Sequence, residues 1–289
     1  MDLPLPHAEP SPPYVLVAPA RQTVPLVVAS PHSGRLYAPA FLEAARLAPL
    51  DLRRSEDSFV EELFSAATAC GAPLLHAQFP RAYCDPNREA WELDPAMFAD
   101  PLPAWVNTTS PRVGAGLGTI AKVVTSGETI YRGKLRFAEA QDRVRACWQP
   151  YHDALAALIA ATRQQFGCCL LVDCHSMPAA GGRFAGPDFV LGDVHGTACT
   201  PRITGLVEKV LSGFGYQVRR NDPYAGGYIT RHYGRPREGV HALQIEVARR
   251  LYMDEASLAK AEGFTLLEDR LSKLLGAIAS TCQMLMEPS

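Results

Sequence analysis

The chain has 289 residues, 47% of them hydrophobic and 20% charged, with a formal net charge of −2. That composition excludes disorder as the default state, and the near-neutral balance with scattered Lys and Arg leaves no basic footprint for nucleic acid or an anionic membrane. The length suits one large α/β domain or two modest ones.

The opening segment "MDLPLPHAEPSPPY" has no charged region followed by an apolar one, so it does not read as a signal peptide. Its prolines predict an extended arm over residues 1–13, ahead of a single catalytic α/β domain over 14–289. No apolar run approaches the roughly 18 residues needed to cross a bilayer, and the expected location is the cytoplasm. Strand-like runs follow at 14–18, 25–30, 73–77, 168–174, 188–192, 216–220 and 241–247. Several are continuously apolar, as strands covered on both faces are. Between them, "FVEELFSAATA" (59–69) puts Phe59, Leu63, Phe64 and Ala67 on one helical face. The helix predicted over 134–148 runs into Pro150, which should end or kink it. A further helix is predicted over 151–166, and "ASLAKAEGFTLLEDRLSKLLGAIAS" (256–280) reads as a closing helix. The segment 85–130 is rich in Pro and Gly and reads as a long irregular excursion. Alternating strands and helices predict an α/β fold with a mainly parallel sheet, whose site gathers beyond the carboxyl ends of the strands.

Three strands carry chemistry at or near those ends. "LVVAS" leads into Pro31-His32-Ser33-Gly34, and "CLLV" leads into Asp173-Cys174-His175-Ser176. Gln244 and Glu246, two apart in "ALQIEVA", share one strand face. A histidine after a strand is often only a hydrogen-bonded structural residue, but a glutamate inside an apolar strand is costly to bury unpaired and points to function. An open zinc site takes about three protein ligands and a water. His32 and His175 supply two, and "RRSEDSFVEEL" offers Glu56 or Asp57 as the third. Glu246 could then move a proton between water and a leaving nitrogen. Arg81, Asn87 and Arg88 suit an anionic substrate, since arginine binds carboxylates bidentately. In "NDPYAGGYITRHYG" (221–234), paired glycines lie among Tyr224, Tyr228, Arg231, His232 and Tyr233, a turn that could approach a ligand closely. Neither Ser33 nor Ser176 sits in a nucleophile elbow, which argues against a serine hydrolase. The eight cysteines show no zinc-knuckle spacing and read as small buried hydrophobes.

In this order, "SPHSG", "SEDSFVEELF", "DPNR", "PYHDAL", "DCHS", "LGDVHGTAC", "NDPYAGGYITRHYG" and "QIEVARRLYMDE" resemble the N-formylglutamate amidohydrolase family. The resemblance spans about residues 25–255. It implies a three-layer α/β/α sandwich over a mixed, mainly parallel sheet, similar to zinc carboxypeptidases. It implies one Zn2+ per chain, held by His32, His175 and a carboxylate of the "SED" segment, with Asp57 the better match and Glu56 the alternative. Another divalent ion would also suit such a set. Glu246 looks like the general base and Arg81 the oxyanion partner. The Asn87-Arg88 pair is similar to the one that holds a substrate carboxylate in zinc carboxypeptidases, with Ser176, Tyr228 and Arg231 as further substrate contacts. The implied activity is hydrolysis of an N-formyl or other N-acyl acidic amino acid such as N-formyl-L-glutamate, a reaction of histidine degradation. "DPNR" replaces the more usual "DLNR", and residues 89–130 depart from the loop of a dedicated histidine-degradation enzyme. Rival readings are a carboxypeptidase-like peptidase, a deacylase for another N-acyl amino acid, and a non-catalytic binding protein without metal. Oligomeric state is not legible.

Overall fold

The structure, a computed structural model, describes residues 12–178 and 186–286. The expected arm falls almost wholly outside the described residues. Strands β1 (Tyr14–Val17), β2 (Leu26–Ser30), β3 (Leu74–Ala77), β4 (Cys169–Met177), β5 (Phe189–Gly192), β6 (Val218–Arg220) and β7 (Val240–Ala248) match the seven strand-like runs. They form one sheet in the order β1-β3-β2-β4-β7-β5-β6. The pairs β2/β4, β4/β7 and β5/β6 are parallel and β5/β7 is antiparallel, which makes the mixed, mainly parallel sheet. Helices are α1 (Pro39–Ala44), α2 (Pro49–Arg53), α3 (Val60–Leu63), α4 (Pro111–Gly114), α5 (Phe137–Arg143), α6 (Gln149–Phe166), α7 (Pro201–Gly213), α8 (Tyr228–Tyr233) and α9 (Phe264–Met286). Among the described residues no helix is long and apolar enough to cross a membrane.

The chain divides into two compact units. Within the described residues the first comprises 12–15, 31–56 and 76–154, and the second 16–30, 57–75, 155–178 and 186–286. The core of the second unit lies on one face of the sheet. Alternate residues Leu170, Val172 and Cys174 of β4 and Leu243, Ile245 and Val247 of β7 join Val60 and Leu63 of α3, Ile203, Val207 and Leu211 of α7, and Leu271, Leu275 and Ile278 of α9. Spacings of three and four on the helices and two on the strands bring these groups together. Each buried Leu or Ile contributes about 1.5–3 kcal/mol of transfer free energy. The intervening strand positions, Asp173, His175, Gln244 and Glu246, therefore face the opposite side.

The first unit has a smaller core of Tyr37, Phe41, Leu52, Ala82, Val124 and Ile130. Arg143 lies 4.3 Å and 5.3 Å from the ring centroids of Tyr83 and Tyr131, so partly buried aromatic faces stabilise its charge. Residues 85–130 are irregular as expected, with only the short α4, a single 3-10 turn and isolated bridges.

Three predicted helices differ from the expectation. The run 59–69 is helical only over α3 and a 3-10 turn at Ser65–Ala67, because Phe59 adopts a left-handed φ of 66° ahead of α3 and Phe64, with φ −103° and ψ 13°, breaks the helix after Leu63. Its apolar side chains still reach the core. Pro150 does not end its helix: α5 passes through a widened π turn (Val144–Trp148) straight into α6. A wide turn there accommodates the missing proline N–H. The closing helix begins at Phe264, not near 256, because Asp254 Oδ1 accepts bonds from Ser257 N (2.7 Å) and Oγ (2.6 Å). That turn joins strands β8 (Met253–Asp254) and β9 (Ala259–Lys260) instead. Six of the eight cysteines are buried, as small apolar fillers.

Candidate active site

Parallel pairing in the second unit sets Asp173 opposite Gln244 and His175 opposite Glu246. A period of two on both strands thus builds a polar block on the face turned away from the apolar core. All four residues are buried. His175 Nε2 lies 3.0 Å from Asp173 Oδ1, and Nδ1 lies 3.0 Å from Asp57 Oδ2. Burial works against the charged imidazole, but Asp173, Asp57 and Glu246 outweigh it and hold the His175 pKa well above its ordinary value. Asp57 comes from the turn just before α3. Its Oδ1 accepts bonds from Ser176 Oγ (3.0 Å) and Arg249 Nη2 (3.2 Å), while Arg249 Nε donates to Ser176 Oγ (3.1 Å). Arg249 directly follows the end of β7.

On the other side of the block, Thr230 Oγ1 donates to Asp173 Oδ2 (3.0 Å). Gly227 N donates to Gln244 Oε1 (2.7 Å), which orients the amide so that Nε2 donates to Glu246 Oε1 (2.8 Å). The paired glycines of the "YAGGYIT" turn have a local cause. A Cβ on Gly192 of β5 would stand 2.8 Å from the Ala225 carbonyl carbon and the Gly226 nitrogen, and Gly226 has a φ of +125°. Tyr228 opens α8 and stacks on His232 at 4.9 Å, and Arg231 is exposed on the same helix. Ser176, expected at the substrate, has its hydroxyl on Asp57.

In the first unit the chain turns as soon as it leaves β2. A Cβ on Gly34 would meet the Phe79 carbonyl oxygen at 2.0 Å, so only glycine lets the "PHSG" turn run against residues 78–79. That course brings His32 Nε2 to 2.7 Å from Asp85 Oδ1. Asp85 also accepts from Asn87 N (2.8 Å) and from Arg81 Nη2 (2.9 Å), with Arg88 Nη2 at 3.8 Å. Burial would raise the Asp85 carboxyl, but Arg81, His32 and Arg88 hold it well below the usual range. Arg88 braces the loop, donating from Nε to Leu117 O (2.8 Å) and from Nη1 to Asn87 O (2.7 Å). Glu56 accepts from Tyr37 OH (2.7 Å) and Arg53 Nε (3.2 Å), whereas its neighbour Asp57 meets His175.

Sequence reasoning missed Asp85, Asp173 and Arg249 as site residues. Asp173 carried the same signal as Glu246, a carboxylate in an apolar strand two residues from another polar group. Asp85 showed itself only as the first letter of "DPNR". Nothing in "ARR" separates buried Arg249 from Arg250, whose Nη2 bonds Asp188 Oδ1 at 2.6 Å.

A family model described as N-formylglutamate amidohydrolase matches residues 24–253. An N-formylglutamate deformylase of Pseudomonas aeruginosa is 33% identical over 243 residues, covering 81% of this chain and 84% of the relative. One of Pseudomonas putida is 31% identical over 256 residues, covering 85% and 86%. The crystal structure of an N-formylglutamate amidohydrolase from Ralstonia eutropha JMP134 superimposes with a TM-score of 0.88 at 39% identity, covering 93% of this chain and 98% of that one. A gene product of Agrobacterium tumefaciens shares the fold, with a TM-score of 0.68 at 20% identity. With a family model matched over most of its length, the chain belongs to the N-formylglutamate amidohydrolase family and is a hydrolase acting on an amide.

Proposed function

We propose that this chain hydrolyses the amide of an N-formyl acidic amino acid such as N-formyl-L-glutamate, releasing formate and the amino acid, with one Zn2+ held by His32, Asp57 and His175. One observation carries the reading, in a chain of this family. Asp57 Oδ2 and His175 Nδ1, both buried, lie 3.0 Å apart as two ligand atoms able to face one ion, and His32 is a second buried imidazole with its Nε2 on a carboxylate. The donor set fits zinc. Two imidazoles and one carboxylate make an open three-ligand site. Each imidazole has its Nε2 on a carboxylate, Asp85 or Asp173, the partnership that orients ligating histidines.

A divalent ion bound there supplies Lewis acidity toward the formyl carbonyl and lowers the pKa of a water to about 7. Glu246 accepts the proton of the attacking water and delivers it to the departing nitrogen, with Gln244 fixing one of its oxygens. Arg81 faces the oxyanion that develops on the formyl oxygen. Asn87 and Arg88 grip a substrate carboxylate, and Tyr228 and Arg231 of α8 complete the substrate contacts.

The test is metal content of the purified protein by mass spectrometry, paired with formate release from N-formyl-L-glutamate before and after chelation. About one zinc per chain and chelator-sensitive formate release are expected, and Glu246→Gln should lower kcat by about 10²–10⁴ while keeping the metal. A protein that holds no metal and gains no activity when zinc is added refutes the reading.

A further inference from the structure

The two oxygens of Asp57 have different surroundings. Oδ2 lies against His175 Nδ1, the ring nitrogen left over once Nε2 is on Asp173. Oδ1 is turned the other way and takes hydrogen bonds from Ser176 Oγ and Arg249 Nη2. Arg249 closes the arrangement by donating from Nε to the same Ser176 oxygen. The three side chains form a ring of hydrogen bonds, and all are buried. A guanidinium presents its N–H groups in a rigid fork, so holding two acceptors at once fixes their mutual position. Burial leaves little water to do the same work.

We propose that Arg249 is a positioning residue for the metal: with Ser176 it holds Asp57 turned, so that Oδ2 and His175 Nδ1 face one ion together. The inference rests on the zinc reading above and deepens it. It gives the last residues of β4 and the first residue after β7 a shared task, fixing a carboxylate that comes from a turn far away in sequence. Ser176 Oγ donates a hydrogen bond to Asp57 and accepts one from Arg249, so the hydroxyl relays the orientation of the guanidinium to the carboxylate.

The experiment measures Zn2+ dissociation constants of the metal-stripped full chain by competition with a chromophoric chelator, and records the visible spectrum of the Co2+ form. Wild type, Arg249→Met, Arg249→Lys, Ser176→Ala and the double variant Arg249→Met with Ser176→Ala are compared, with folding checked by circular dichroism. Removing the partners of a metal ligand typically costs 10–100-fold in affinity. Arg249→Met should weaken Zn2+ binding by about that factor and change the Co2+ spectrum, and Arg249→Lys should lie between it and wild type. Ser176→Ala should weaken binding less, and the double variant should fall short of the product of the two single effects, since both act on one oxygen. Folded Arg249→Met with wild-type Zn2+ affinity and an unchanged Co2+ spectrum overturns the proposal while leaving the zinc reading intact. If that variant does not fold, wild-type affinity in Arg249→Lys together with Ser176→Ala overturns it equally. A wild-type chain that binds no metal overturns both readings.

Discussion

His32 and His175 are held in the same way by unlike means. Each has its Nε2 on a buried aspartate, at 2.7 Å and 3.0 Å. Asp173 stands two residues before its histidine on the same strand, so the pleat of β4 alone sets the pair. Asp85 comes from 53 residues away, in an irregular loop, and is kept in place by Arg81, the Asn87 N–H and the braces of Arg88. One anchor is built by the backbone and the other by charge. Regular structure needs few helpers to fix a side chain, whereas a loop must surround it with them.

The largest effect should come from neutralising the strand-built anchor. Asp173→Asn leaves the buried His175 without its same-strand counter-charge, and breaking a buried pair this way costs about 3–5 kcal/mol. Denaturant unfolding of the metal-stripped protein measures it. Asp85→Asn should cost less, about 1–3 kcal/mol. The asparagine still accepts from Asn87 N, and the side chain of Arg81 is 21% exposed, so water can take up its charge. Equal losses in the two variants would break the contrast.

The two anchors should also fail at opposite ends of the pH scale. Asp85 has a depressed folded pKa, so its stabilisation is present above the unfolded carboxyl value of about 3.9 and is lost as pH falls through the lower folded value. His175 has a raised folded pKa, so its stabilisation is complete below the unfolded value of about 6.5 and is lost as pH rises through the folded one. In metal-stripped protein, Asp85→Asn should flatten the acid side of the stability profile and Asp173→Asn the alkaline side. Unfolding midpoints across pH sharpen the comparison, which fails if both variants alter the same side. The smallest effect belongs to a pair that burial does not strengthen. Lys273 and Asp269 on α9 are 2.7 Å apart but 61% and 54% exposed, and Lys273→Ala should change stability by no more than about 0.5 kcal/mol.

The strands were legible: each of the seven strand-like runs is a strand, most plainly β2, β4, β5 and β7, whose fully buried positions are written as short apolar runs. Helix ends were less so, because a left-handed residue such as Phe59 or a side-chain turn such as that at Asp254 overrides an apolar stripe without altering its pattern. In the site, His175 and Glu246 could be placed on strand faces from alternation alone, and Asp173 obeyed the same rule unrecognised. Asp85 and Arg249 could not be found that way. Arg249 meets Asp57 across 192 residues of chain, and no local spacing encodes a partnership of that range.

The amide of Gln244 has a direction. Its oxygen is claimed by the Gly227 N–H and its nitrogen by Glu246, so it works as a connector with one plug and one socket. Reversing it would set donor against donor at one end and acceptor against acceptor at the other. A glutamate in its place would have the right shape and the wrong polarity, pressing one carboxylate on another beside Val190 of β5. The turn that carries the paired glycines is thereby wired to Glu246, and a shift of that turn arrives at the carboxylate through a single side chain.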